Sequence, residues 1–309
     1  MAAPSETLSF VCDPQLSRSG SAYLRAFQLA ELAAQRLRSV RIRKVAELGQ
    51  AIRDEVLVFN KSCFTPRTSA SIVERLPALR RHNICLADPL DALLPDDLFS
   101  RFDGVIASSL SQAEHLSARL SKPMFLIHHH VDMRLPSSAR TWEQARPGYF
   151  GELVNTWHVE SLADCIDFIS VDTRSAVSVS WARHLPYYNV HYCLRRTRNI
   201  DGFKPATKIF VAASLGAPVI VERSNAEAQK LLPRDYPYFV NSVELSEVRG
   251  VIDRAIATFG KEEWVYAKAS LAAIHCYRPG PILDSIEDMM QSLTGNKVTA
   301  PERGLAIVD

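Results

Sequence analysis

The sequence predicts an α/β protein made of two Rossmann-like domains, and three observations lead to this prediction. The chain has 309 residues, enough for two domains of roughly 150 residues each. Short apolar segments alternate along it with amphipathic ones, a pattern typical of parallel sheets covered by helices on both faces. A hydrophobic fraction of 47% and a charged fraction of 23% are those of a globular chain with a sizeable core.

The domain boundaries follow from a break in this alternation. Residues 134–147 lose the pattern and gain Pro and Ser. We therefore predict an N-terminal domain over residues 1–136, a linker over 137–147 and a C-terminal domain over 148–280. Residues 281–309 are predicted to form an amphipathic helix at 282–293, followed by a loosely ordered tail.

The first domain is predicted to open with a strand, a loop that contains Gly20, and a helix that Ser21 caps and that runs to about Arg38. A later helix is predicted to end at Leu76, because Pro77 has no N–H and disturbs a helix interior. The predicted strands are 7–12, 39–45, 55–60, 83–87, 104–107 and 124–128. The predicted helices are 21–38, 46–53, 69–76, 96–102 and 111–120.

The second domain repeats the alternation. Its predicted strands are 148–153, 168–171, 189–193, 219–221 and 238–240. Its predicted helices are 157–165, 205–215, 243–259 and 261–276.

Residues 202–223, GFKPATKIFVAASLGAPVIVER, carry an unusual placement of charge. Pro205 suits the first position of a helix, and Gly216 suits the residue just past its end. Lys204 and Lys208 would then lie on one face of the first turn, where the helix dipole is already positive. A phosphate would satisfy both ammonium groups and the free backbone N–H groups, although two solvated lysines remain the alternative. Arg195 and Arg196 lie shortly before this helix and favour a diphosphate site.

Other candidate side chains follow predicted strands, where ligands of parallel sheets collect. Asp88 and Asp91 could act as acid–base groups, but Asp88-Pro89 is equally suited to a turn. His128, His129 and His130 invite a metal interpretation, but no second cluster would supply the remaining ligands. We therefore predict no metal and no cofactor, and we name Asp88 and His129 as catalytic candidates.

The composition and the sequence pattern argue against several classes of protein. The formal net charge of +2 does not suggest a nucleic-acid binder. No apolar run approaches the roughly 20 residues of a membrane span, and the first residues do not resemble a secretion signal. Six scattered cysteines without CxxC spacing indicate reduced thiols. We predict a cytoplasmic protein.

The segment KPATKIFVAASLGAPVIV resembles the nucleotide-binding signature of GT-B glycosyltransferases, which spans a helix and the next strand. Further pieces occur in the order that the resemblance implies: RSGSAYLRA, LVFNKS, ICLADPLDAL, FDGVIASS, FLIHHHVD and GYFGEL. The similarity extends from about Leu8 to about Leu293. It implies two Rossmann-like domains that face each other across a cleft, with the final helix packed back on the first domain.

The resemblance also implies roles for individual residues. The C-terminal domain would bind a nucleotide-sugar donor, and the N-terminal domain would bind the acceptor. The implied donor and phosphate residues are Gly151, Glu152, Arg195, Arg196, Lys204, Thr207, Lys208, Glu222 and Ser224. The implied acceptor-side residues are Ser19, Gly20 and Lys61.

The predicted function is metal-independent transfer of a sugar from a nucleotide donor to a glycan, lipid-linked or small-molecule acceptor, and peripheral association with a membrane is left open. Val211 and Phe203 stand where many retaining members of the family have glutamates. A non-catalytic protein that binds a nucleotide or a sugar is therefore the alternative. A sugar-nucleotide epimerase of similar fold is a third reading, without a convincing set of carboxylates.

Overall fold

The computed structural model of the chain describes residues 7–16, 19–49, 51–136, 142–172, 179–196, 203–295 and 306–307. The chain divides into two compact units. Unit 1 comprises Met1–His130, Phe203–Pro205 and Arg278–Asp309, and unit 2 comprises Val131–Gly202 and Ala206–Tyr277. The domain boundaries predicted from sequence stay a prediction. Part of the predicted linker (137–141) and most of the predicted tail (296–305 and 308–309) lie outside the described residues.

Strands and helices are numbered here along the described residues. The strands are β1 (Thr7–Cys12), β2 (Ser39–Lys44), β3 (Glu55–Asn60), β4 (Ile84–Asp88), β5 (Gly104–Ala107), β6 (Met124–Leu126), β7 (Pro147–Gly151), β8 (Asp167–Ser170), β9 (Val190–Tyr192), β10 (Val219–Glu222), β11 (Phe239–Val240) and β12 (Ala306–Ile307). The helices are α1 (residues 20–33), α2 (Ser69–Leu79), α3 (Asp96–Ser100), α4 (Leu110–Arg119), α5 (Thr207–Ser214), α6 (Ala226–Leu231), α7 (Leu245–Ala257), α8 (Glu262–Ala272) and α9 (Pro279–Thr294). Short 3₁₀ turns cover Pro14–Leu16, Val45–Glu47, Lys61–Phe64, Leu153–Asn155 and Ser180–Tyr187.

Each unit contains one sheet of parallel strands. The strand order is β12-β2-β1-β3-β4-β5-β6 in unit 1 and β11-β10-β9-β7-β8 in unit 2. Read from the first strand of each unit, both sheets contain the order 2-1-3-4-5 of doubly wound folds. The order changes direction between β1 and β3 in unit 1, and between β7 and β9 in unit 2. The predicted class of two Rossmann-like α/β domains is confirmed.

The core of unit 1 lies on both faces of its sheet, which explains its continuous apolar strands. All six residues of β3 are buried. Val56 and Val58 face a core that includes α1 and α9, whereas Leu57 and Phe59 face a core that includes α2 and α4. Alternation along the strand therefore buries both of its faces.

Helix α1 differs from the continuous helix that was predicted. It consists of Gly20–Ala22, a π-helical segment at Tyr23–Gln28, and Leu29–Ala33. Ser19, not Ser21, caps it, and its hydroxyl accepts a 3.3 Å hydrogen bond from the N–H of Ala22. The helix ends before Arg38. The π segment contains Arg25, whose side chain is fully buried.

Three other helix predictions were wrong. Helix α2 continues through Pro77 to Leu79, because Leu76 and Leu79 both pack in the core and offset the lost hydrogen bond. Among the described residues of 46–53, which omit Gln50, the only helical ones are Ala46 and Glu47, at the end of the turn at Val45–Glu47. Residues 157–165 form turns, with His158 in a left-handed conformation (φ 58°) that interrupts a helix. Helix α6 and strand β12 were not predicted.

Helix α9 belongs to unit 1, and Ile282, Ile286 and Met289 on its apolar face are buried in that unit's core. The six cysteines are free thiols. No helix within the described residues has the length and apolar character needed to cross a membrane.

Candidate functional site

The carboxyl edge of the unit 2 sheet gathers most of the predicted donor residues. In doubly wound sheets, ligands bind beyond the carboxyl ends of the strands where the strand order changes direction. In unit 2 these ends are Gly151 of β7 and Tyr192 of β9. Glu152 follows β7, Arg195 and Arg196 follow β9, and Glu222 ends β10.

Lys208 reaches this edge from helix α5. Its Nζ lies 3.7 Å from the centre of the Tyr149 ring. A Cβ at position 151 would lie 2.9 Å from this Nζ and 2.7 Å from the Tyr149 hydroxyl, so only glycine allows the approach. Tyr149 itself is fully buried, and its hydroxyl donates to the carbonyl of Glu152 at 2.8 Å. The sequence did not single out Tyr149, because a buried aromatic residue in a strand is ordinary core.

Lys208 is half-buried at this edge. Burial lowers the pKa of Lys208 to about 8, although Cys193 and Glu222 act in the opposite direction. Burial raises the pKa of the Glu222 carboxyl, and it raises that of the Cys193 thiol to about 12. A partly desolvated cation that no carboxylate fully compensates is suited to bind an anion.

Arg195 and Glu222 are joined through the backbone. The N–H of Arg195 donates to Glu222 Oε1 at 2.5 Å, and Glu222 is only 7% exposed. The carbonyl of Arg195 accepts a bond from the indole of Trp157 at 3.1 Å. The loop after β9 is thus fixed at both its N–H and its carbonyl.

Arg196 is exposed, and its guanidinium lies 5.1 Å from the centre of the Trp157 ring. Its N–H donates to the carbonyl of Asn155 at 3.1 Å, and the Asn155 amide donates to Glu152 Oε2 at 2.7 Å. These bonds connect the loops after β7 and β9. Ser224, beyond β10, is exposed.

The structure corrects the predicted placement of Lys204. Helix α5 begins at Thr207, so Lys204 does not lie in its first turn with Lys208. Pro205 disfavours helical backbone at Lys204, and the cap residue Ala206 has a non-helical ψ of 40°. Lys204 belongs to unit 1, whereas Lys208 belongs to unit 2. The cap residue Ala206 makes no side-chain hydrogen bond to the helix start.

In unit 1, Lys204 meets Asp91. Its Nζ lies 2.8 Å from Asp91 Oδ2, and Lys61 pairs with the other oxygen, Oδ1. Burial alone would raise the pKa of Asp91, but the two ammonium groups lower it to about 2. The loop before Asp91 turns at Leu90, which has a left-handed φ of 56°.

The two catalytic candidates lie at the carboxyl edge of the unit 1 sheet, and both are buried. Asp88 is fully buried and accepts a 2.8 Å bond from the Nε of Arg25. Burial raises the pKa of Asp88, and Arg25 offsets part of the rise. His129 is 5% exposed, and burial lowers its pKa to about 3. The acid–base role predicted for Asp88 and His129 therefore has no support from their exposure.

Sequence reasoning missed Arg25, which is remote from Asp88 along the chain and lies in a helix that reads as amphipathic. Ser19 and Gly20 lie at the start of that helix, where Ser19 acts as its cap. Among the described residues, no three His, Cys, Asp or Glu side chains lie together in a way that could hold a metal ion.

Comparisons with solved structures place the fold. The structure of Anabaena HepE in complex with UDP-glucose is similar with a TM-score of 0.65 and 12% identity, over 93% of this chain and 100% of that one. The structure of a glycosyltransferase from Rickettsia africae is similar with a TM-score of 0.60 and 9% identity, over 96% of this chain and 100% of that one. The structure of sucrose-phosphate synthase from Thermosynechococcus elongatus is similar with a TM-score of 0.51 and 11% identity, over 94% of this chain and 99% of that one. No protein-family model and no curated protein matches the sequence. The chain has the GT-B glycosyltransferase fold, as the sequence predicted.

Proposed function

We propose that the protein is a glycosyltransferase whose unit 2 binds a nucleotide-sugar donor. The observation that carries the proposal is the position of Lys208, whose ammonium group approaches Gly151 at the carboxyl edge of the sheet. The similarity to HepE, solved with UDP-glucose, makes UDP the first nucleotide to test and glucose the first sugar.

Positive charge at this edge has a direct role in such a reaction. A nucleoside diphosphate leaves as an anion, and fixed donors stabilise the charge that develops. We assign this role to Lys208, Arg195 and Arg196, with the backbone N–H groups of the first turn that begins at Thr207. We propose that transfer is independent of metal, because these cations would neutralise the diphosphate.

The other edge residues would orient the donor. Glu152 follows β7 and is fixed by Asn155, which suits contact with the sugar. Glu222 and the exposed Ser224 follow β10 and would lie near the nucleoside. We assign acceptor binding to unit 1, through Lys61 and the start of α1 at Ser19 and Gly20. The acceptor would be a glycan, a lipid-linked sugar or a small molecule, and a lipid-linked acceptor would bring the protein to a membrane surface.

A non-catalytic nucleotide-binding protein is the second candidate. Val211 is 9% exposed and packs in a cluster with Phe150 and Leu215. Phe203 packs on the ring of His115 at 4.4 Å between centroids. Both positions are apolar where the resemblance implies carboxylates, and this favours binding without transfer.

The test is calorimetric titration of the full chain with UDP, ADP, GDP and dTDP. We expect one nucleotide to bind, and Lys208→Gln to weaken it about tenfold or more, because a hydrogen bond to a charged group contributes about 1.5–3 kcal/mol. Lys268→Gln, an exposed lysine of α8, is the matched control and should leave affinity unchanged.

Absence of binding by every nucleotide would reject the proposal. Equal affinity in the Lys208→Gln variant would reject the assigned site. Slow hydrolysis of UDP-glucose by the wild type would then favour transfer, whereas binding without turnover would favour the second candidate.

A further inference from the structure

Two lysines in unit 1 share a single carboxylate. Lys61 pairs with Oδ1 of Asp91 and Lys204 pairs with Oδ2. The Asp91 side chain is 8% exposed, whereas those of Lys61 and Lys204 are 39% and 36% exposed. The carboxylate is therefore inside, and the two ammonium groups lie between it and solvent.

The charges in this group do not cancel. Two ammonium groups and one carboxylate leave one positive charge, and each ammonium has three N–H donors. Asp91 stays ionised near neutral pH, since its pKa is lowered to about 2. Asp91 holds the two ammonium groups side by side. Their mutual repulsion is costly in the absence of a second anion and is offset when such an anion binds.

A second observation in unit 1 is a pair of buried polar atoms that have no hydrogen-bond partner among the described residues. His129 is 5% exposed, and its Nδ1 has no hydrogen-bond partner within the described part of the chain. The same is true of Nη2 of the fully buried Arg25. The charges of Arg25, Asp91, Lys204 and Lys61 all act on the pKa of His129, so these groups lie in the same region of unit 1.

The fold explains why these groups converge. Asn60 and Asp88 are paired residues at the ends of β3 and β4. Lys61 directly follows Asn60, and Asp91 follows Asp88 after the left-handed turn at Leu90. Both side chains therefore start from neighbouring carboxyl ends of one sheet.

We propose that Lys61 and Lys204, braced by Asp91, form an oxyanion site in unit 1 that binds a phosphate or carboxylate group of the acceptor. The identification of the bound molecule as the acceptor rests on the proposed glycosyltransferase function, whereas anion binding at these residues does not. The acceptor is then an acidic molecule, either a phosphorylated one or one that contains an acidic sugar.

The test uses the full chain with Lys208→Gln, which removes the main cation of unit 2, and two probes, inorganic phosphate and glucuronate. Calorimetry should show binding of at least one probe in this background. Adding Lys61→Gln should weaken it about tenfold or more, because one charge-assisted contact is lost. Lys61→Arg should retain most of the affinity. Lys44→Gln, at a lysine of the same unit whose side chain is 41% exposed, is the matched control and should have no effect.

Tighter binding of phosphate would assign a phosphorylated acceptor, and tighter binding of glucuronate an acidic sugar. The proposal is overturned if neither probe binds, or if affinity is the same with and without Lys61. Should the Lys61→Gln protein fail to fold by circular dichroism, Lys204→Gln replaces it with the same expectations. UDP affinity, measured in the Lys61→Gln single variant, should equal that of wild type, so failure of the donor site and failure of this site give different results.

Discussion

In unit 1 the cations at the carboxyl ends of the strands are paired with carboxylates, whereas in unit 2 Lys208 lies against an aromatic ring. Arg25 pairs with Asp88, and Lys61 and Lys204 pair with Asp91. Lys208 instead faces Tyr149 at 3.7 Å. The same strand order thus supports two electrostatic designs. A carboxylate fixes a cation in one place and keeps it charged, whereas an aromatic ring leaves its charge sensitive to pH and to a ligand.

The largest effect is expected when the pairing in unit 1 is broken. Arg25→Met leaves the Asp88 carboxylate buried without its partner, and removing one member of a buried pair costs about 3–5 kcal/mol. The free energy of unfolding from urea titration should fall by that amount. Arg36→Met, which removes half-exposed pairs to Asp284 and Glu287, should cost much less, because exposed ion pairs contribute little to stability. Similar losses in the two variants would show that burial of the pair is unimportant.

A smaller and more specific effect is expected in unit 2 from Gly151→Ala. The new Cβ would be 2.9 Å from Lys208 Nζ and 2.7 Å from the Tyr149 hydroxyl. The flexible lysine end can move away, and the ammonium group then leaves its place, but the buried Tyr149 ring must also shift, which lowers stability. We expect nucleotide affinity to fall about tenfold or more in calorimetry, measured on protein that remains folded by circular dichroism, together with a lower melting temperature.

Gly250→Ala is the matched control. It lies in α7 with no atom within 4 Å of the added Cβ. Alanine is the better helix former by about 0.5–1 kcal/mol, so stability should be equal or higher and affinity unchanged. Unaltered nucleotide binding in Gly151→Ala would remove Lys208 from the donor site.

The sequence predicted what depends on local pattern. Continuous apolar runs such as residues 55–60 gave the strands, and their alternation with helices gave the class of both sheets. It predicted the chemistry of Lys204 and Lys208 as one group, because four residues separate them along the chain. The structure separates them, since the helix begins only at Thr207 and Asp91, remote in sequence, pairs with Lys204. Tyr149 could not be recognised either, because its role depends on the lysine packed on it.

The pH dependence of nucleotide binding is the smallest expected effect. It tests most directly the contrast between a cation that lies on an aromatic ring and one that is paired with a carboxylate. The pKa of Lys208 is lowered to about 8, so the free protein loses this charge as pH rises from 7 to 9. Affinity for the nucleoside diphosphate should fall several-fold over that range, measured by calorimetry at constant ionic strength. Lys208→Arg should give a flat profile, because a guanidinium stays protonated.

The neighbouring groups do not explain such a profile. Burial raises the pKa of Cys193 to about 12 and also raises that of Tyr149, so neither ionises between pH 7 and 9. The effect of pH on folding without nucleotide has the opposite sign. In the unfolded chain the lysine keeps its proton to higher pH than in the folded protein. This residue therefore increases the free energy of unfolding as pH rises from about 8 towards 10.5. Equal slopes of affinity against pH in wild type and Lys208→Arg would show that Lys208 is not the group that titrates, and the contrast between the two units would then lie in geometry alone.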